Sequence, residues 1–252
     1  MQNKLSILVV VKNEEKQIAN CLETLRFGSE LILILDSCTD KTEQIAKKFR
    51  CKIFKGDWEN EGERRNFGIS RCKFDWILEV DADERVSQLL KKEILKVILN
   101  SKFDYHNIPV QNFIGKQVVK YGWGAYFGKS AYPGLFKKNS KNWGCQNVHP
   151  KITFNGKKGD SLKNFVKHYY CKDIKDMFDK LNNYSDARAK DILEKNIREN
   201  LFMNIRRILS RFWKCYVLRK GYKEPRFGIL IAIIAAIYPL VSFLKYQNLL
   251  NK

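Results

Sequence analysis

Apolar and polar positions alternate in blocks along the first third of the chain. Leu5-Ser6-Ile7-Leu8-Val9-Val10-Val11 is a nearly unbroken β-branched run, the pattern of a strand buried on both faces. Polar Lys12-Asn13-Glu14-Glu15 follows, and then Ile18, Leu22 and Leu25 at helical spacing. Leu31 to Leu35 reads as a second strand, ending in Asp36-Ser37-Cys38-Thr39-Asp40-Lys41-Thr42. That polar end is suited to capping a helix through Ile45, Ala46 and Phe49, with Asp40 as a cap rather than a ligand. Cys51 to Phe54 is a short third strand, Arg64 to Arg71 a short helix, and Trp76 to Val80 a fourth strand. Strands alternating with helices predict an α/β fold with a mostly parallel sheet and right-handed crossovers. Such a sheet binds ligands beyond the carboxyl ends of its strands. Asp36 and Asp40 at one strand end, and Asp81 and Asp83 at another, are then expected at one edge.

The later chain divides differently. Tyr105 to Phe154 is strand-like and aromatic, with Trp123, Tyr126, Phe127, Tyr132, Phe136 and Trp143 among interleaved glycines. Aromatic rings stack on sugar faces, and Trp123 and Trp143 are the candidates for an acceptor site, although core packing accounts for most such residues. Ile174, Met177, Phe178, Leu181, Tyr184 and Ala187 keep helical spacing. A second helix carries Leu201, Ile205, Ile208, Leu209, Phe212 and Tyr216 on one face, with Arg206, Arg207, Arg211 and Lys214 largely elsewhere. Phe227 to Leu244 is an uncharged run of 18 residues containing Pro239. Spanning a bilayer takes roughly 20 mainly apolar residues, so a span, an in-plane or re-entrant hairpin, and a buried helix of a soluble dimer all remain open. The expected organisation is a catalytic domain over residues 1–170 and a helical tail over 171–252, with the apolar segment at 227–244.

Charge and cysteine content narrow the setting. Lys and Arg number 47 against 27 Asp and Glu, a formal charge of +20 that predicts an anionic partner. Nucleic acid is not expected, since no helix-turn-helix, zinc-finger or RNP-type motif is present. From Arg198 to Lys252 there are 11 basic residues and 2 acidic ones, so the excess is concentrated in the tail and fits an anionic membrane surface. Seven cysteines without a C-x-x-C favour a reducing cytosol. Met1-Gln2-Asn3-Lys4 leads straight into the first strand, with no signal peptide expected.

Four segments, Val9 to Glu15, Asp36 to Thr42, Gly62-Glu63-Arg64-Arg65-Asn66-Phe67-Gly68 and Asp81-Ala82-Asp83-Glu84, stand in an order and spacing that resembles family 2 glycosyltransferases of the GT-A type. Lys167-His168-Tyr169-Tyr170 and Lys180 to Ser185 extend the likeness toward the bacterial lipopolysaccharide core glucosyltransferase branch. The resemblance implies a GT-A, Rossmann-like domain followed by a membrane-associating tail. It implies inverting transfer from a nucleotide-sugar donor to a glycolipid or lipopolysaccharide-type acceptor at the cytoplasmic face of the inner membrane.

Residue by residue, it implies that Asp36 receives the nucleoside. Asn13, Glu14, Arg64, Arg65 and Asn66 would border the donor, and Asp81 would contact the sugar or ribose. Asp83 would bind a divalent metal, Mg²⁺ or Mn²⁺, with late His168 beside it. Many relatives supply a carboxylate as the base. Here Gln146-Asn147-Val148-His149-Pro150 has Pro150 where relatives can carry a carboxylate, which leaves His149 as the catalytic candidate. Two other classes remain open: a non-catalytic membrane-associated protein on this fold, and a basic nucleic-acid-binding protein.

Overall fold

The structure is a computed structural model that describes residues 4–123, 128–145 and 150–251. Its chain forms two compact units: residues 1–110 with 131–168, and residues 111–130 with 169–252. Residues 111–130 thus group with the tail, although the hydrophobic pattern alone assigns them to the catalytic domain.

In the first unit, strands β1 (Leu5–Val11), β2 (Glu30–Asp36), β3 (Lys52–Gly56) and β4 (Trp76–Asp81) pair in parallel. Helices α1 (Ile18–Thr24), α2 (Thr42–Ala46) and α3 (Glu61–Arg71) connect them. The continuous apolar run of β1 is buried on both sides. Leu5, Ile7, Val9 and Val11 pack with Ile18 and Leu22 of α1, whereas Leu8 packs with Ile32, Ile34 and Ile69 of α3. Register sets Val10 level with both Ile34 and Asp81, so β1, β2 and β4 finish at one edge.

Next come β5 (Glu84–Val86), α4 (Gln88–Asn100), β6 (Tyr105–Ile114), β7 (Gln117–Val119), β8 (Ala131–Lys137), β9 (Lys141–Trp143), β10 (Ile152–Phe154) and β11 (Val166–Cys171). The main sheet runs β3-β2-β1-β4-β8-β6-β11-β5, with β7 paired to β6. It is mixed: β8 is antiparallel to β4, β6 to β8, and β5 to β11. Helix α4 is capped by Ser87, whose side chain accepts from Leu90 N–H, and it buries Leu90 and Ile94.

The second unit holds α5 (Ile174–Glu194), α6 (Leu201–Trp213) and α7 (Gly228–Leu250). Asp173 caps α5 and Asn200 caps α6. Helix α7 packs on both α5 and α6. Its Ile231, Ile234 and Tyr238 form a core with Met177 and Leu181 of α5. The apolar run 227–244 thus falls almost wholly within α7, a helix of 23 residues in which 56% of the most apolar window is buried, so it serves as the packing centre of its unit.

Helix α6 departs from the expected division of faces. Ile208 and Phe212 turn toward α7, while Leu201, Ile205 and Leu209 are exposed. Arg207 is ion-paired with Glu199, and Arg211 lies over the Tyr238 ring. Only Arg206 and Lys214 of the four expected basic surface residues are exposed, because buried Asn204 fixes which face turns inward.

Candidate functional site

The loop after β1 is bound to the loop after β2. Asn13 has φ of +56°, a left-handed conformation that asparagine tolerates better than most residues. Its Oδ1 accepts from Thr39 N–H at 2.8 Å and Asp40 N–H at 3.3 Å. Asp40 reciprocates, accepting from Glu15 N–H and Thr42 N–H, both at 2.9 Å. The N–H of Glu14 donates to Thr42 Oγ1 at 2.8 Å. Burial would raise the Asp40 carboxyl, but these hydrogen bonds outweigh it and hold the group below the usual carboxylate range. Asp40 thus occupies the capping role expected of it, one residue ahead of the N-cap position of α2.

Asp36 ends β2 and is 2% exposed, so its charge needs partners. Arg64 Nη1 lies 2.6 Å from Oδ2, Lys12 Nζ 3.7 Å from it, and the Trp58 N–H 3.4 Å from Oδ1. Arg64 comes from α3, whose start is set by Asn60 accepting from Glu63 N–H at 3.0 Å. That first turn passes directly beneath the Gly144 carbonyl. A Cβ on Gly62 would sit 1.8 Å from that oxygen, a backbone atom that has no rotamer to escape into. Gly62→Ala is therefore expected to push the Gly144 segment off α3 and to destabilise the protein by about 1–3 kcal/mol, read as a lower unfolding midpoint in thermal denaturation.

At the end of β4, Asp81 Oδ1 accepts from Arg65 Nη2 at 2.9 Å. The same guanidinium reaches Glu61 at 2.8 Å and Glu79 at 2.7 Å, and it stacks 4.7 Å from the Trp143 ring centroid. Glu79 is buried and also binds Lys141 Nζ at 2.5 Å. Burial alone would raise the Glu79 carboxyl. Lys141 and Arg65 overcome it and hold the group below its ordinary value. Asn66 brackets the Trp143 backbone, donating to its carbonyl at 2.8 Å and accepting from its N–H at 2.9 Å.

The Asp81–Glu84 turn is stapled by Glu84. Its Oε2 accepts from Asp81 N–H at 3.1 Å and from the Tyr132 hydroxyl at 2.8 Å. Burial, and then the Glu84 charge, push the Tyr132 hydroxyl well above its usual range, so it remains a donor. Asp83 projects from this turn, and His168 Nε2 lies 3.2 Å from its Oδ2. They meet because β5 pairs antiparallel with β11, with His168 in register with Glu84.

Of the residues expected at the site, Asp36, Arg64, Arg65, Asn66, Asp81, Asp83, Trp143 and His168 lie in the first unit, as do Asn13 and Glu14. Asn13 and Glu14 tie loops together, and Asn66 holds β9. Trp123 belongs to the second unit. Its Nε1 donates to the Val119 carbonyl at 2.7 Å and its ring packs edge-on to Tyr170, which makes it a core residue there. His149, with Tyr126 and Phe127, lies outside the described residues. Glu79, Lys141, Glu84 and Tyr132 were not expected. Alternation along β4 marks Glu79 as a charge inside an apolar strand, and that was the available signal.

A divalent cation suits the Asp83–His168 pair in part. Among the described residues no group of three or more His, Cys, Asp or Glu side chains converges. One carboxylate and one imidazole leave most positions to water or substrate oxygens, which suits Mg²⁺ or Mn²⁺, although the imidazole nitrogen is a better ligand for Mn²⁺ than for the harder Mg²⁺.

Residues 6–159 match the family described as Glycosyl transferase family 2. An uncharacterized glycosyltransferase of Rickettsia typhi is 26% identical over 98% of this chain and 87% of its own length. The lipopolysaccharide core biosynthesis glycosyltransferase LpsC of Rhizobium meliloti is 21% identical over 97% of this chain and 92% of its own. In fold the chain is similar to S. aureus TarS in complex with UDP-GlcNAc, with a TM-score of 0.52 at 14% identity over 97% of this chain and 88% of that one. With strand ends, paired carboxylates and a family match covering most of the first unit, the chain belongs to glycosyl transferase family 2 and is a glycosyltransferase.

Proposed function

We propose that this glycosyltransferase carries out metal-dependent, inverting transfer from a nucleotide sugar to a lipid-linked or lipopolysaccharide-type acceptor, at the cytoplasmic face of a bacterial inner membrane. The observation that carries the reading is the meeting of Asp83 and His168 at the sheet edge where Asp36 and Asp81 also end. The likeness to LpsC supports the acceptor class of this reading, and the UDP-GlcNAc bound by the similarly folded TarS is in keeping with a nucleotide-sugar donor.

Asp36 accepts hydrogen bonds from the base and ribose, with Arg64 holding its carboxylate in place. Asp81 turns to the sugar or ribose, its orientation set by Arg65 and Glu84. Asp83 and His168 would hold Mg²⁺ or Mn²⁺, which would supply positive charge against the departing nucleoside diphosphate. Trp143, beside Arg65, offers a ring face to the acceptor. His149 is the candidate to take the acceptor hydroxyl proton, a step that needs a group within hydrogen-bond reach of it.

Calorimetry with UDP and other nucleoside diphosphates, in the absence of metal, tests the donor half. Asp36→Ala is expected to weaken the best binder by roughly 10- to 100-fold, about 1.4–2.7 kcal/mol. Unchanged affinity would make Asp36 a partner of Arg64 and nothing more.

A further inference from the structure

We propose that the outward stripe of α6 lies flat in the interface of an anionic lipid bilayer, as a monotopic docking face rather than a span. The inference rests on the membrane location argued above and specifies the surface that makes it. Phe202, Ile205, Leu209 and Trp213 recur at intervals of three and four on one side of α6, and Phe202 and Leu209 are 78% and 72% exposed. Single exposed apolar residues are ordinary; a contiguous stripe of four is not. The stripe continues onto α7 through an apolar groove of about 440 Å³ lined by Leu209, Phe212, Trp213, Ile233 and Ile237.

Charge identifies the occupant. Arg206, Lys214, Lys220, Lys223 and Arg226 are exposed on α6 and in the turns that follow it. The two acidic residues of this region are engaged within the unit. Glu199 pairs with Arg207, and Glu224 accepts from the N–H groups of Lys120 and Tyr121. An apolar stripe with an uncompensated basic rim fits acyl chains below anionic headgroups. A second copy would set one basic rim against another. A span by α7 would strip it from α5 and α6, against which it is already packed.

The test uses full-length protein with vesicles of phosphatidylethanolamine and phosphatidylglycerol, some with brominated acyl chains that quench tryptophan. Wild type should co-sediment with these vesicles and be quenched. Trp213→Phe should still bind but lose most of the quenching, because Trp123 is packed in a core and Trp58, Trp76 and Trp143 lie in the other unit. Phe202→Ser/Leu209→Ser should lower vesicle partition at least tenfold while leaving nucleotide affinity unchanged. Vesicle binding with quenching unaltered in Trp213→Phe, or with partition unaltered in the double variant, would overturn this face and leave the membrane location standing. Failure of wild type to bind vesicles would overturn both. Self-association abolished by the double variant would assign the stripe to a second copy instead.

Discussion

Asp83→Asn is expected to leave the fold and metal-free nucleotide affinity intact and to lower metal-stimulated transfer by a factor of about a thousand or more, roughly 4 kcal/mol of transition-state stabilisation. The side chain is a quarter exposed at the end of a turn held by Glu84, so the turn does not depend on its charge. An asparagine keeps the size and can still hydrogen-bond His168, whereas it is a poor ligand for a hard cation. A structural role for the pair therefore predicts near-normal turnover in this variant. Initial rates across a Mn²⁺ and Mg²⁺ titration decide the matter, and activity within a fewfold of wild type would remove the metal assignment. His168→Ala should weaken the metal response by a smaller factor, since the anionic oxygen ligand Asp83 remains.

Lys141→Ala is expected to be the most destabilising single change in the first unit. Among the described residues it leaves the buried Glu79 carboxylate with Arg65 as its ion-pair partner. Breaking a buried ion pair by removing one partner costs about 3–5 kcal/mol, because the other charge stays buried. The unfolding midpoint should fall by roughly 6–20 °C, whereas Lys141→Met combined with Glu79→Leu should recover much of the loss. The pH dependence carries a sign. Glu79 is held below its ordinary 4.5 in the folded protein, so its stabilising contribution is full above that value and is lost as pH falls through the lower folded value. In Lys141→Ala burial dominates, and the loss should begin at higher pH. Equal acid unfolding curves for the two proteins would contradict this account.

The parallel half of the sheet was legible because a strand buried on both faces leaves an uninterrupted apolar run, as in β1 and β2. The antiparallel half was less so. Its strands alternate, are short, and pair across long separations, as β5 does with β11. Helix α4 carries Leu90, Ile94, Val97 and Ile98 at helical spacing behind a Ser87 cap, a pattern that local spacing does encode. At the site, strand-end position indicated Asp36, Asp81 and Asp83. The proximity of His168 came from family likeness alone, since no local spacing encodes the β5–β11 register. Lys141 and Tyr132 were invisible for the same reason: Glu79 shows as a charge inside an apolar strand, but a buried charge reveals its counter-ion only when the sheet has assembled. On α6, periodicity found the amphipathic helix but not that its apolar face is divided, with Ile208 and Phe212 turned to α7 and Leu201, Ile205 and Leu209 left exposed.

The reciprocal clasp between the loops after β1 and β2 bears on how donor preference could be transplanted between relatives. Asn13 depends on the Thr39 and Asp40 amides, and Asp40 depends on the Glu15 amide. Neither loop is expected to keep its shape with a foreign partner. A chimera that exchanges residues 37–42 alone should lose nucleotide binding altogether, whereas one that exchanges 12–15 and 37–42 together should retain it. On the proposed donor-site reading, the heritable module for the nucleotide is two loops held as one piece, and substitutions in either should co-vary with the other across any family that shares the clasp.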